Sequence, residues 1–154
     1  MTTTPSTLLV GTWMHAPVRV AHPHDPIERA RELCERHRVN QLPVVVDDRL
    51  VGMVTDRDLR DAYPSLAEEA EHPAEAHRLT ATMRVEDIMT RAVVTATEED
   101  GIDRAATLMR RERIGALPIL RGHRLVGILT RSDLLAALLA LTADPRLRLG
   151  SGQD

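Results

Sequence analysis

The sequence predicts a mixed fold, α+β (α/β), made of two tandem β-α-β-β-α units. Three observations carry this. Residues Val10–Leu59 align without a gap on Val85–Leu134 at a constant offset of 75 positions. Each copy contains one stretch of helical periodicity followed by two short β-branched runs separated by turn residues. Each copy also returns to a helical pattern after a threonine, at Thr55 or Thr130.

The alignment pairs Met14 with Met89, Pro43 with Pro118, Gly52 with Gly127 and Asp58 with Asp133. Such agreement along a whole unit marks a tandem duplication. A single strand–helix–strand–strand–helix unit cannot cover both faces of its three-stranded sheet. Two units packed together bury both faces, and this gives the duplication a physical reason.

Each unit opens on an extended piece, "APVRVA" at 16–21 or "AVVTAT" at 92–97. A helix follows, with Asp25 and Asp100 expected as N-caps and Pro26 at the first helical position. Ile27, Ala30, Leu33 and Cys34 recur at helical spacing, as do Ile102, Ala105, Ala106, Leu108 and Met109. The opposite face of the first helix carries Glu28, Arg31, Glu32 and Glu35. The strands "LPVVV" and "RLVGMVT" are joined by Asp47-Asp48, and "LPIL" and "RLVGILT" by Gly122-His123. In the second unit the last helix runs through "SDLLAALLALTA" before Pro145. The expected boundaries are an N-terminal tail at 1–7, motif one at 8–60, a linker at 61–84, motif two at 85–142 and a C-terminal tail at 143–154. The acidic linker, with two prolines, is expected to be exposed and to hold a helical turn. Residues 145–154 are expected to fray.

Composition excludes several classes. The net charge is −3, against a domain that binds polyanions by bulk positive charge. Aromatic residues are 1% of the chain, which removes the usual stacking platform for single strands. Every basic side chain is arginine, so a local pocket for one small anion stays open. The lone Cys34 has no internal disulfide partner and fits a reducing, cytoplasmic location. No apolar run approaches the roughly 20 residues of a membrane span. The N-terminus lacks the basic start and long apolar stretch of a signal peptide.

The segments "NQLPVVVDDRLVGMVTDRDL" and "GALPILRGHRLVGILTRSDL", with "DIMT" at 87–90, resemble the CBS-domain family over roughly residues 8 to 141. The connection after "TDRDLRDAYPS" is similar to stand-alone CBS proteins of the acetoin-utilisation type. The resemblance implies two CBS motifs packed with pseudo-two-fold symmetry into a Bateman module. It also implies adenine nucleotides or related adenosyl ligands bound in clefts between the motifs, with AMP, ADP and ATP as possible effectors. Carried over by position, Asp58 and Asp133 accept hydrogen bonds from ribose hydroxyls, and Thr55 and Thr130 meet the phosphate side. Val39-Asn40 and Ile114-Gly115 line the adenine, together with Arg19, Val94, Met53 and Ile128. The chemistry is sound on its own terms: a carboxylate chelates a diol, and a hydroxyl beside free helix N–H groups favours an anion. The copies differ at Asp56-Arg57 against Arg131-Ser132, and at Arg19 against Val94. Two unequal sites are therefore expected.

Plainer roles stand beside these. Thr-x-x-Asp at a helix start is also a capping box. Gly52 and Gly127 read as tight packing or bulge positions, and Met14 and Met89 as core fillers. His22, His24, Asp25 and His15 raise a zinc question, against which stands an exposed loop capped by Asp25. No cofactor or metal is expected. Cys34 reads as a buried residue of the helix face.

The leading expectation is a non-enzymatic regulatory module that senses an adenosyl ligand and signals by conformational or oligomeric change. Its expected partners are an unknown effector protein and a second copy of the chain, the homodimer using the apolar helix face of "LLAALLAL". The alternatives are an adaptor with degenerate sites and a small nucleotide-acting enzyme.

Overall fold

The two copies build the same elements at the same offset, because the same side chains recur at the same spacings. The computed structural model describes residues 6–64 and 66–143. The tail expected to fray at 145–154 and the first five residues lie outside that range. After a 3-10 turn at Ser6–Leu8, a one-turn helix, α1 (Val10–Trp13), leads into α2 (Ile27–His37), β1 (Gln41–Val46), β2 (Arg49–Thr55) and α3 (Asp56–Ala62). The connector forms α4 (Leu66–Glu71) and α5 (Pro73–Thr82). The second copy repeats the series as α6 (Val85–Ile88), α7 (Ile102–Glu112), β3 (Ala116–Arg121), β4 (Arg124–Thr130) and α8 (Arg131–Ala143).

In α2, Ile27, Ala30 and Cys34 are buried while Glu28, Arg31, Glu32 and Glu35 face water, as the helical period requires. α2 and α7 end on Arg38 and Arg113 in the left-handed conformation, with φ of 52° and 56°. Their N–H groups satisfy terminal carbonyls, among them Cys34 O and Met109 O. β1 and β2 pair antiparallel across Asp47 and Asp48, both at positive φ, as a tight hairpin demands. Gly122, at φ 63°, does the same in the second copy.

Three local expectations are corrected. Asp25 and Asp100 do not cap their helices. Asp25 Oδ2 instead accepts from His22 N at 2.9 Å, and Asp100 Oδ2 from Thr97 N at 2.7 Å. Both carboxylates are used to close the preceding turn, so the N-caps are Pro26 and Gly101 and the helices start one residue later. Pro26 is thus not the first helical residue. The opening extended pieces make one parallel bridge each, Ala21 with Val44 and Ala96 with Ile119, because these turns begin at the next residue. The connector holds two helices rather than a single turn. Its Ala- and Glu-rich stretches are good helix formers, Pro73 sits in the first turn of α5, and Ala76 is buried.

The described chain divides into two units that do not follow the repeat boundaries. One takes the stretch up to Pro17, Val94–Gly122 and the residues from Val126 onward; the other takes Val18–Val93 and His123–Leu125. Each has its own core. Ile27, Leu42, Val44, Val54 and Leu59 pack with Val85 and Met89. Leu117, Ile119, Leu129, Ala105 and Met109 pack with Val10. The opening segment of each repeat therefore serves the core of the other repeat. Glycine makes this possible: Met89 Sδ lies 2.6 Å from where a Cβ on Gly52 would stand, and Met14 Sδ occupies the same place at Gly127. Backbone pairs lock the contact, Met53 with Thr90 and His15 with Ile128.

Candidate functional site

Each unit places a Thr-x-x-Asp box where its second strand passes into a helix. In the first copy, Asp58 Oδ2 accepts from Thr55 N at 2.8 Å and from Thr55 Oγ1 at 2.7 Å, and Asp58 N donates to Thr55 Oγ1 at 3.2 Å. This is a full capping box, so the plainer role holds here. Asp56 N donates to Asn40 O at 2.8 Å, tying the box to the residue before β1. Thr55 and Asp58 are half-buried, and Met53 lies two residues upstream on the same face of β2 as Thr55.

The second copy repeats the box: Asp133 Oδ2 accepts from Thr130 N at 2.7 Å and from Thr130 Oγ1 at 2.8 Å. Arg131 N donates to Gly115 O at 3.2 Å, the counterpart of the Asn40 bond. Two things differ. Asp133 is 4% exposed, the one buried charged residue among those described. Its second oxygen, Oδ1, lies 2.8 Å from His15 Nδ1, and that imidazole is 70% exposed.

The units sort the expected site residues cleanly. Arg19, Asn40, Met53, Thr55, Arg57 and Asp58 belong to one, and Val94, Gly115, Ile128, Thr130, Arg131 and Asp133 to the other. Arg19 and Asn40 are exposed, while Val94, Ile128 and Gly115 are half-buried. The two box arginines point to different tasks. Arg57 faces Asp61 at 3.8 Å in full solvent, whereas Arg131 Nη2 donates to Ile114 O at 3.3 Å. Sequence reasoning weighed His15 for zinc alone and missed its place on Asp133. The signal was its position after the repeated methionine, where the first copy's box has Thr90.

The histidine stretch pairs with carboxylates. His22 Nδ1 is 3.4 Å from Asp25 Oδ2, and His24 Nδ1 is 3.1 Å from Glu86 Oε1. Among the described residues, no three His, Cys, Asp or Glu side chains are grouped to hold a metal ion. Cys34 is buried, and burial, with Asp56 and Glu35 adding to it, pushes its thiol up to about 11. A thiol so protected is a poor nucleophile. On α8, Leu135, Leu138 and Leu139 are more than half exposed, beside an apolar groove that also takes in Leu8, Ile102 and Leu134. No described helix is long and apolar enough to cross a membrane.

The family model for the CBS domain matches residues 10–65 and 85–140, more than half of the chain. The chain belongs to the CBS-domain family. Over 115 residues this CBS chain is 37% identical to the inosine-5'-monophosphate dehydrogenase of Thermoplasma acidophilum, a match to 73% of the chain but 20% of that enzyme. The chain thus spans about a fifth of the length of that relative. Among solved structures, the CBS domain pair of protein MJ0100, in complex with 5'-methylthioadenosine and S-adenosyl-L-methionine, superimposes with a TM-score of 0.68 at 29% identity. That match covers 87% of this chain and 97% of the other. The protein CBSX2 in complex with AMP superimposes with a TM-score of 0.71 at 29% identity, covering 87% and 98%.

Proposed function

We propose that this CBS protein is a non-catalytic regulatory module that binds an adenosyl ligand and reports its presence by a change of conformation or assembly. One observation carries the reading: the duplicated Thr-x-x-Asp box, a fixed carboxylate beside a hydroxyl at the end of each second strand. The support from relatives is that MJ0100 and CBSX2 are described with ligands that share an adenosine core. In this reading Asp58 and Asp133 accept from the ribose. Thr55, Thr130, Arg57 and Arg131 serve the phosphate or its substitute. Arg19, Val94, Asn40, Gly115, Met53 and Ile128 frame the base. The protein works in the cytoplasm, as a homodimer formed through the exposed leucines of α8, and passes its state to an effector protein.

A ligand that binds the folded state at 100 times its Kd raises stability by about 2.7 kcal/mol. For a chain of this size that is a rise in Tm of about 5–10 °C. The test is a melting series with AMP, ADP, ATP, S-adenosyl-L-methionine and NADH, followed by calorimetric titration of any ligand that shifts the melt. No shift and no heat with any of them refutes the reading and favours an adaptor. Light scattering on the wild type and on Leu138→Arg tests the dimer. A wild type that is monomeric at micromolar concentration, with and without ligand, refutes it.

A further inference from the structure

We propose that His15 competes internally for Asp133, so that an adenosine ribose reaches the second box only by displacing the imidazole. The proposal rests on the reading above that the box aspartates accept the ribose. It begins from the lone pairs. In both boxes Oδ2 already accepts two donors, the backbone N–H and the hydroxyl of its threonine. A carboxylate oxygen has two such lone pairs, so Oδ2 is filled and Oδ1 is left to meet a ligand.

At Asp58 that oxygen has no partner among the described residues, and the aligned residue, Thr90, makes no side-chain bond to it. At Asp133 the same oxygen is held by His15 Nδ1 at 2.8 Å. The pairing is built into the fold. His15 exchanges two backbone hydrogen bonds with Ile128, at 2.9 and 3.0 Å, two residues before Thr130. The backbone is thereby pinned beside the box while the ring stays in solvent. An exposed ring can swing away about its side-chain bonds, and a single hydrogen bond from a side chain that lies mostly in solvent is a modest restraint. His15 therefore acts as a displaceable occupant that lowers the affinity of one site relative to the other. This supplies a geometric cause for unequal sites, and it lies in a residue 118 positions away from its aspartate in the chain.

Calorimetric titration with AMP tests it. Asp58→Asn isolates the second site while keeping an acceptor for Thr55. In that background His15→Thr, which installs the residue found in the other copy, is expected to tighten AMP by about three- to tenfold. His15→Ala serves as a second replacement, and melting curves confirm that each variant folds. Adding Asp133→Asn is expected to abolish the gain. Unchanged or weaker AMP binding on replacing His15 overturns the proposal, weaker binding making His15 a ligand contact instead. Absence of AMP binding in the wild type and every variant refutes the ribose reading itself, a result separable from AMP binding that is indifferent to His15.

Discussion

Replacing Gly127 by alanine tests the exchange of segments directly. A Cβ there meets Met14 Sδ well inside contact distance and His15 O at 3.2 Å; at Gly52 it meets Met89 Sδ at 2.6 Å and Thr90 O at 3.0 Å. Comfortable carbon contacts lie near 3.5–4.0 Å, so both sites are overfilled. The methionine is flexible and gives way in part. The carbonyl, held in a backbone bridge, does not. Each substitution is therefore expected to cost about 2 kcal/mol, within the usual range for overpacking. That corresponds to a fall in Tm of about 4–8 °C. Double-mutant cycles by urea denaturation then identify the partner. Met14→Ala is expected to offset part of Gly127→Ala, and Met89→Ala part of Gly52→Ala, with coupling of at least about 1 kcal/mol. The cross combinations are expected to add within about 0.5 kcal/mol. Coupling of Met14 to Gly52, the pairing that sequence proximity suggests, refutes the exchanged arrangement.

Two further outcomes follow from the same geometry. Asp133→Ala strips Thr130 N and Oγ1 of their acceptor inside a buried site and is expected to cost about 2–4 kcal/mol, against about 1–2 kcal/mol for the half-buried Asp58→Ala. Equal losses in urea denaturation refute the difference in burial. Cys34 gives a pH dependence: below its ordinary value of 9.0 the thiol is protonated in both states, and between there and about 11 the unfolded chain loses the proton first. Stability therefore falls as pH rises through that window. Cys34→Ala is expected to flatten the slope of Tm against pH, leaving the part due to Tyr63, whose hydroxyl burial also pushes upward. An unchanged slope refutes the assignment.

Much of the fold was legible because its signals are local. The spacing of Ile27, Ala30 and Cys34 names a helix face, Asp47-Asp48 and Gly122-His123 name hairpin turns, and Thr-x-x-Asp names a helix start. The linker helices and the N-caps were misread for a local reason too. Alanine and glutamate suit helix and exposed coil alike, and an aspartate just ahead of a helix, as at Asp25 and Asp100, serves a turn as well as a cap.

By itself the sequence determined that there are two copies, in which order their elements run, and which carboxylates stand at the ends of the second strands. A constant offset and short-range periodicity are enough for that. Only the tertiary structure decided which segment completes which core, and that Asp133, unlike Asp58, has its outer oxygen occupied. Both depend on contacts between residues far apart in the chain. A periodic pattern records which side chains need burial, and it is silent on which partner buries them. Val10 and Val85 need the same kind of core, and each found it in the other repeat.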